Sequence, residues 1–262
     1  MTSRDLGPFV VEVAAGIAVV TFDKPPVNAF DLATYAALRE VIDLVESDDR
    51  IRVMVLTAPL AARSWCGGAD LRDFVGMDSA RRKERYEFIN TTVPRLYSMN
   101  TPVIAAITGH AIGVGVLLAA ACDLRYAATS ASFSCPEIDY GLIAGSSRLL
   151  NYLGMPEGLV REMGYTGRRM SAERLMRAGF LNDVVAGPDV LATAMATAQL
   201  IAAKSLPVLQ ARKQAFIAQE ELGWLAAYKL AQGFSADLVT LSDASEGVEA
   251  FLESREASIS DG

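Results

Sequence analysis

Between Thr101 and Arg125 the chain runs through Thr-Pro-Val-Ile-Ala-Ala-Ile-Thr, then Gly-His-Ala-Ile-Gly-Val-Gly, then Val-Leu-Leu-Ala-Ala-Ala-Cys-Asp-Leu-Arg. A β-branched apolar run is joined to an alanine- and leucine-rich one, and Gly109, Gly113 and Gly115 punctuate the junction. The pattern predicts strand, tight turn and buried helix. A helix that starts among glycines leaves its first N–H groups without intrahelical partners, with the positive end of its dipole behind them. Such a junction can hold an anion, or an oxygen that becomes one during a reaction. The same residues also fit a purely structural junction. Val103 to Ala121 approaches the length of a membrane span, although Thr108-Gly109-His110 divides it into two short elements suited to a buried core.

The rest of the composition removes whole classes of function. In 262 residues, 52% are hydrophobic, enough for a substantial core. Acidic side chains outnumber basic ones by 31 to 24, which argues against a nucleic-acid surface or an anionic-membrane patch. Cys66, Cys122 and Cys135 fit no metal-ligand spacing, and their odd number argues against a disulfide framework. With His110 as the single histidine, a Ser-His-Asp triad or a multi-histidine metal site is hard to build. No signal-peptide pattern follows Met-Thr-Ser-Arg-Asp, so the expected compartment is the cytoplasm.

Along the chain, Phe9–Val13 and Ile17–Phe22 predict a hairpin turning at Ala14-Ala15-Gly16. Asp31 is the expected N-cap of a helix carrying Leu38, Val41, Ile42 and Val45 on its apolar face. Val53–Thr57 reads as a buried strand, and Trp65-Cys66-Gly67-Gly68-Ala69-Asp70-Leu71 as a second glycine-rich turn. Ser79–Tyr97 reads as a charged helix whose Arg81, Arg82, Lys83 and Arg85 face water. Short strands are expected at Leu124–Ala127 and Ser132–Cys135, followed by a loop, Pro136–Ser147, that holds Glu137 and Asp139. Beyond Arg148 the pattern is helical, with helices opening at Ser171, Asp189 and Leu206. Strands alternating with helices, then helices alone, predict one α/β domain with a helical C-terminal part.

Six segments in order carry a family resemblance: Ile17-Ala-Val-Val-Thr-Phe-Asp-Lys-Pro with Asn28-Ala29, Cys66-Gly-Gly-Ala-Asp-Leu, Gly109-His-Ala-Ile-Gly-Val-Gly, Ala121-Cys-Asp-Leu-Arg-Tyr-Ala, Pro136-Glu137, and Glu246-Gly-Val-Glu-Ala-Phe-Leu-Glu-Ser-Arg. The chain resembles the crotonase (enoyl-CoA hydratase/isomerase) superfamily over nearly its whole length. The resemblance implies an α/β spiral of ββα units over residues 1–195 and a helical oligomerisation region over 196–262. It implies an acyl-CoA thioester as substrate, with coenzyme A carried by the substrate and no separate cofactor or metal. It further implies a homotrimer or dimer of trimers.

The resemblance also assigns roles. The N–H groups of Ala69 and Val114 correspond to an oxyanion hole, and Glu137 to the loop glutamate that moves protons. Lys24, Ala29, Arg63, Gly68, Asp70, Leu71 and Leu117 correspond to substrate-binding positions, with Lys24 and Arg63 set for the nucleotide phosphates. From the residues alone, Asp70 is as well explained as a cap, Lys24 and Arg63 as surface cations, and His110 as packed or backbone-bonded. Val114 stands where glycine is commoner, and its branched side chain narrows the acyl pocket. Gly67 stands where alanine is usual, an exchange expected to matter little. Hydratases of the family use a second glutamate on the buried helix; that position here is Leu117. Some isomerases of the family share the leucine, so a single-carboxylate 3,2-enoyl-CoA isomerase is the first expectation. An enoyl-CoA hydratase and a non-catalytic acyl-CoA binder are the alternatives.

Overall fold

A computed structural model describes residues 2–145 and 147–260; Ser146, in the loop read from sequence, lies outside the described residues. The chain opens with β1 (Thr2–Leu6), β2 (Phe9–Ala14) and β3 (Ile17–Phe22), then β4 (Ala29–Phe30), α1 (Leu32–Ser47) and β5 (Val53–Thr57). Next come β6 (Ser64–Cys66), β7 (Gly68–Ala69), a 3-10 turn at Leu71–Phe74, α2 (Ser79–Asn90) and α3 (Val93–Ser98). The central stretch supplies β8 (Val103–Ile107), β9 (His110–Ile112) and α4 (Val114–Ala121). It is followed by β10 (Leu124–Ala128), β11 (Ser132–Ser134), a 3-10 turn at Pro136–Tyr140, α5 (Ser147–Tyr152) and α6 (Glu157–Thr166). The remainder is β12 (Met170–Ser171), α7 (Ala172–Arg177), β13 (Asp183–Val185), α8 (Val190–Ala202), α9 (Leu206–Gln219), α10 (Trp224–Asp237) and α11 (Ser242–Leu252).

Seven strands form the main sheet in the order β1-β2-β3-β5-β8-β10-β13, antiparallel through β3 and parallel from there on. A second sheet runs β12-β11-β9-β6, and β4 pairs with β7. From β5 onward the chain places one strand in the main sheet, crosses to the second, and then turns into a helix or 3-10 turn. That repeated crossing is the expected spiral of ββα units. Parallel strands flanked on both sides read as continuous apolar runs, and β5 and β8 are buried at every residue.

Local chemistry explains the boundaries. The β2–β3 turn places Ala15 at φ 49° and Gly16 at φ 77°, the paired left-handed conformation that tight hairpins demand. Asp31 caps α1 by accepting from the Thr34 N–H at 2.8 Å, an interaction worth about 1 kcal/mol. Ser171 caps α7 by accepting from the Arg174 N–H at 3.3 Å.

Three sequence expectations are corrected. The apolar run after Pro102 is two strands in two sheets: Thr108-Gly109 carries the chain from β8 to β9, and a Cβ on Gly109 would lie 2.9 Å from the Arg63 carbonyl. The helical tail is interrupted by β12 and by β13, which completes the main sheet beside β10. The charged helix of 79–97 breaks at Thr91-Thr92, and Arg85 is buried rather than solvated. Residues 195 and 196, where the sequence places the start of the C-terminal region, lie within α8, which packs on β3, β5, β8 and β10. Among the described residues, no single helix is long and apolar enough to cross a membrane.

Two buried cations fix the central helix and the C-terminal helices. Arg125, on β10, reaches back to the end of α4 and donates to the carbonyls of Ala119 (3.2 Å) and Cys122, with further bonds to the Asp123 (3.1 Å) and Phe180 (2.7 Å) carbonyls. It satisfies carbonyls that the helix end leaves open and places positive charge at the negative end of the dipole. Lys213 of α9 donates to the Thr101 carbonyl and to Asp123 Oδ2, both at 2.9 Å, and the same Asp123 oxygen accepts from the Val103 N–H at 2.7 Å.

Candidate active site

The two glycine turns meet. Gly68, at φ 94°, sits so close to the end of β9 that a Cβ there would lie 3.0 Å from the Ile112 carbonyl. Gly115 backs onto β6: a Cβ on it would lie 2.6 Å from the Cys66 carbonyl and 3.0 Å from the Cys66 Cβ. Only glycine permits both approaches. They bring β7, with Ala69, against the start of α4, with Val114. The parallel pairing of Ala29 with Gly68 and Phe30 with Ala69 holds β7 from its other side. The Gly67 and Asp70 N–H groups donate to the Asn28 (3.1 Å) and Phe30 (2.8 Å) carbonyls on either side of that pair. Val114 is the first residue of α4, so the helix itself offers its N–H no partner.

Glu137 reaches the same place from a third element. Ile112 pairs with Ser134, and the Gly113 N–H donates to the Ser134 carbonyl at 2.8 Å. Three residues on, in the 3-10 turn that opens with Pro136, the Glu137 carboxylate lies over Gly113, where Oε1 takes the space of a missing Cβ. Its Oε2 is buried without a hydrogen-bond partner. Burial pushes the Glu137 carboxyl above the ordinary glutamate range, because the charged form is the one that loses solvation. The neighbouring candidate points elsewhere. Asp139 is exposed and its Oδ2 faces Gly167 at the end of α6.

On α4 the partly open positions are Val114 and Leu117, one turn apart, while Gly115, Val116 and Leu118 to Ala121 are buried. Leu117 therefore shares the face that begins at the junction with β7. Ala29 is half-buried and Leu71 is exposed, on the two segments flanking β7. Asp70 caps the turn after Ala69, accepting from the Arg72 N–H at 3.0 Å and pairing with the Arg72 guanidinium at 2.5 Å. The outlying cations do not join this cluster. Lys24 Nζ is held by Asp31 Oδ2 at 2.7 Å and Thr34 Oγ1 at 2.8 Å, and Arg63 is exposed at the start of β6. Burial alone would raise the Asp31 carboxyl, but the bonds from Lys24 and Thr34 hold it well below the usual range. His110 Nδ1 shares a hydrogen bond with Ser132 Oγ at 3.0 Å.

Sequence reasoning missed two groups behind the junction. Gly67 is not interchangeable with alanine, since a Cβ there would overlap the Val27 carbonyl; nothing in the local spelling announces that approach. Arg85 is the one residue of α2 buried outright, and its signal was present: Arg85, Phe88 and Ile89 fall at i, i+3 and i+4, the spacing of an inward face. A separate apolar cavity of about 390 Å³, lined by Tyr97, Ile104, Leu124, Leu153, Leu209 and Phe216 among others, lies at the amino ends of β8 and β10. It faces the far end of α4 from Gly113.

The two-sheet spiral and the paired turns define a crotonase-type α/β enzyme. A family model described as enoyl-CoA hydratase/isomerase matches residues 12–262, and the chain belongs to that family. The carnitinyl-CoA dehydratase of Proteus mirabilis is 32% identical over 248 residues, 90% of this chain and 92% of that protein. The 2,3-dehydroadipyl-CoA hydratase of Escherichia coli is 30% identical over 258 residues, 95% of this chain and 97% of that one. The solved enoyl-CoA hydratase of Bacillus anthracis is similar with a TM-score of 0.90 and 28% identity, covering 98% of this chain and 100% of that chain.

Proposed function

We propose that the protein is a 3,2-enoyl-CoA isomerase that works with one carboxylate. The observation that carries this reading is the pairing of Glu137, seated on Gly113, with Leu117 one turn along the open face of α4. Glu137 takes a proton from C2 of a 3-enoyl thioester, the electron pair delocalises into a dienolate with charge on the thioester oxygen, and the resulting acid returns the proton at C4. The double bond moves to C2–C3 and the carboxylate is restored. The N–H groups of Ala69 and Val114 stabilise the oxygen as it becomes negative, the kind of fixed-dipole contribution that is largest where charge develops. A raised Glu137 pKa suits a group that must accept and release a proton in one cycle.

Hydration needs a positioned water as well as a proton for the α-carbon, and Leu117 offers that water nothing. The relatives' names favour hydration as the second reading, because the dehydratase and the hydratases reported above carry out that chemistry by name. Coenzyme A enters with the substrate, in a site to which Ala29, Gly68, Leu71 and Leu117 contribute. Assembly as a homotrimer or dimer of trimers through the C-terminal helices belongs to the same proposal; α10 and α11 expose Trp224, Tyr228, Val248, Phe251 and Leu252. One enzyme sample decides between the readings. Faster conversion of a 3-enoyl-CoA to its conjugated isomer than hydration of a 2-enoyl-CoA is expected, and efficient hydration with negligible isomerisation overturns the isomerase.

A further inference from the structure

We infer that Arg85 is a positioning residue for the oxyanion hole, an inference that rests on the proposed role of the Ala69 N–H. Its guanidinium is enclosed, with side-chain exposure of 1%. It stands 4.8 Å from the Phe74 ring centroid and 5.9 Å from that of Tyr35, and Nη2 lies 3.3 Å from Asp73 Oδ2. None of its three nitrogens makes a hydrogen bond of good geometry, and neither does the buried Asp73 Oδ2. A charge buried on these terms is held by one ion pair and two ring faces, which offset only part of its lost hydration.

The placement of these partners gives that costly arrangement a use. Asp73 and Phe74 belong to the 3-10 turn that starts two residues after Ala69, while Tyr35 lies on α1, against the Phe30 ring at 4.9 Å. Phe30 in turn pairs with Ala69 in the β4–β7 ladder. Arg85 thus joins α2, the turn after Ala69, and the helix that supports the strand beside Ala69. Beside it the more exposed Arg82, 5.6 Å from the Phe74 ring centroid, reaches the turn from α2; Leu71, Arg72, Val75 and Gly76 are exposed, and Arg72 pairs locally with Asp70. Removing the guanidinium frees the Leu71–Phe74 turn and lets the Ala69 N–H swing away from the thioester oxygen. An error of about 1 Å in such a donor is enough to cost on the order of 10²-fold in rate.

The probe is 4-dimethylaminocinnamoyl-CoA, whose absorption moves to longer wavelength as hydrogen-bond donors draw electron density onto its carbonyl. The wild type is expected to shift the band. Arg85→Met should lose at least about half of that shift and about 10- to 100-fold in kcat, with KM and affinity for free CoA within about threefold of wild type. Arg85→Lys should recover part of both. A double variant, Asp73→Asn with Phe74→Leu, loosens the same link from the other side and carries the test if Arg85→Met fails to fold. A full shift and full kcat in whichever of these folds overturns the inference while leaving the Ala69–Val114 reading intact. A wild type that leaves the band unmoved overturns both.

Discussion

The Glu137 carboxylate occupies the space that a β-carbon on Gly113 would need. Gly113→Ala therefore tests the seat of the carboxylate without touching it. Alanine must adopt φ 53° with ψ −108°, outside the left-handed helical region and open in practice to glycine, a strain of about 1–3 kcal/mol, and must push Oε1 off its position. Turnover should fall on the order of 10²-fold, with the melting temperature lowered by that strain. Full activity in a folded Gly113→Ala enzyme would separate Glu137 from the reaction.

Glu137→Gln should lower turnover by about 10² to 10⁴ with little effect on CoA affinity. It should also raise stability, because it removes a charge from a buried oxygen that has no partner. The sign follows from linkage: a folded-state pKa raised above the unfolded one means that the folded protein loses stability as pH climbs through the interval between them. The gain from glutamine is thus greatest above the folded pKa and vanishes at pH values where the wild-type carboxyl is protonated. Melting curves of both proteins at several pH values check this.

For the wild type, the base form of Glu137 is the active one, so kcat/KM should fall as pH drops through its pKa. That limb should lie above the ordinary glutamate value near 4.5, and it should be absent from the residual activity of Glu137→Gln. A limb at or below that value would mean that the carboxylate is solvated in the free enzyme.

Leu117→Glu places a second carboxylate on the open face of α4. The ratio of hydration to isomerisation should rise, measured as 3-hydroxyacyl product against conjugated thioester. Burying an unpaired carboxylate costs stability or leaves the group protonated, so a parallel melting curve belongs with the assay. An unchanged ratio in a stable variant would remove Leu117 as the determinant.

Gly67→Ala should destabilise the protein by about 1–3 kcal/mol in urea unfolding, since the new Cβ must displace the Val27 backbone. A neutral result would show that the Val27 loop yields without cost.

Much of this was legible in the residues. Apolar periodicity located β3, β5, β8 and α1, and the two glycine turns stood out because glycine is where backbone comes closest to backbone. Their meeting was not legible from spacing: Gly68 touches Ile112 and Gly115 touches Cys66 across more than forty residues of chain, contacts that only the crossing between sheets creates. β12 and β13 are two and three residues long, too short for a periodic signal. Arg85 was misread because charge normally means exposure, and the apolar stripe it shares with Phe88 and Ile89 carried the better information.

Arg125 holds α4 by the end opposite to the chemistry. Eight residues of helix make a rod about 12 Å long, pivoted on the carbonyls of Ala119 and Cys122 that Arg125 grips. Leverage works against a pivot at that end: a tilt of about 5° displaces the Val114 N–H by about 1 Å, by the same rise per residue. The tolerance to which an N–H at Val114 can be aimed is therefore machined at residue 125, on a strand that contributes no atom to the cluster around Gly113.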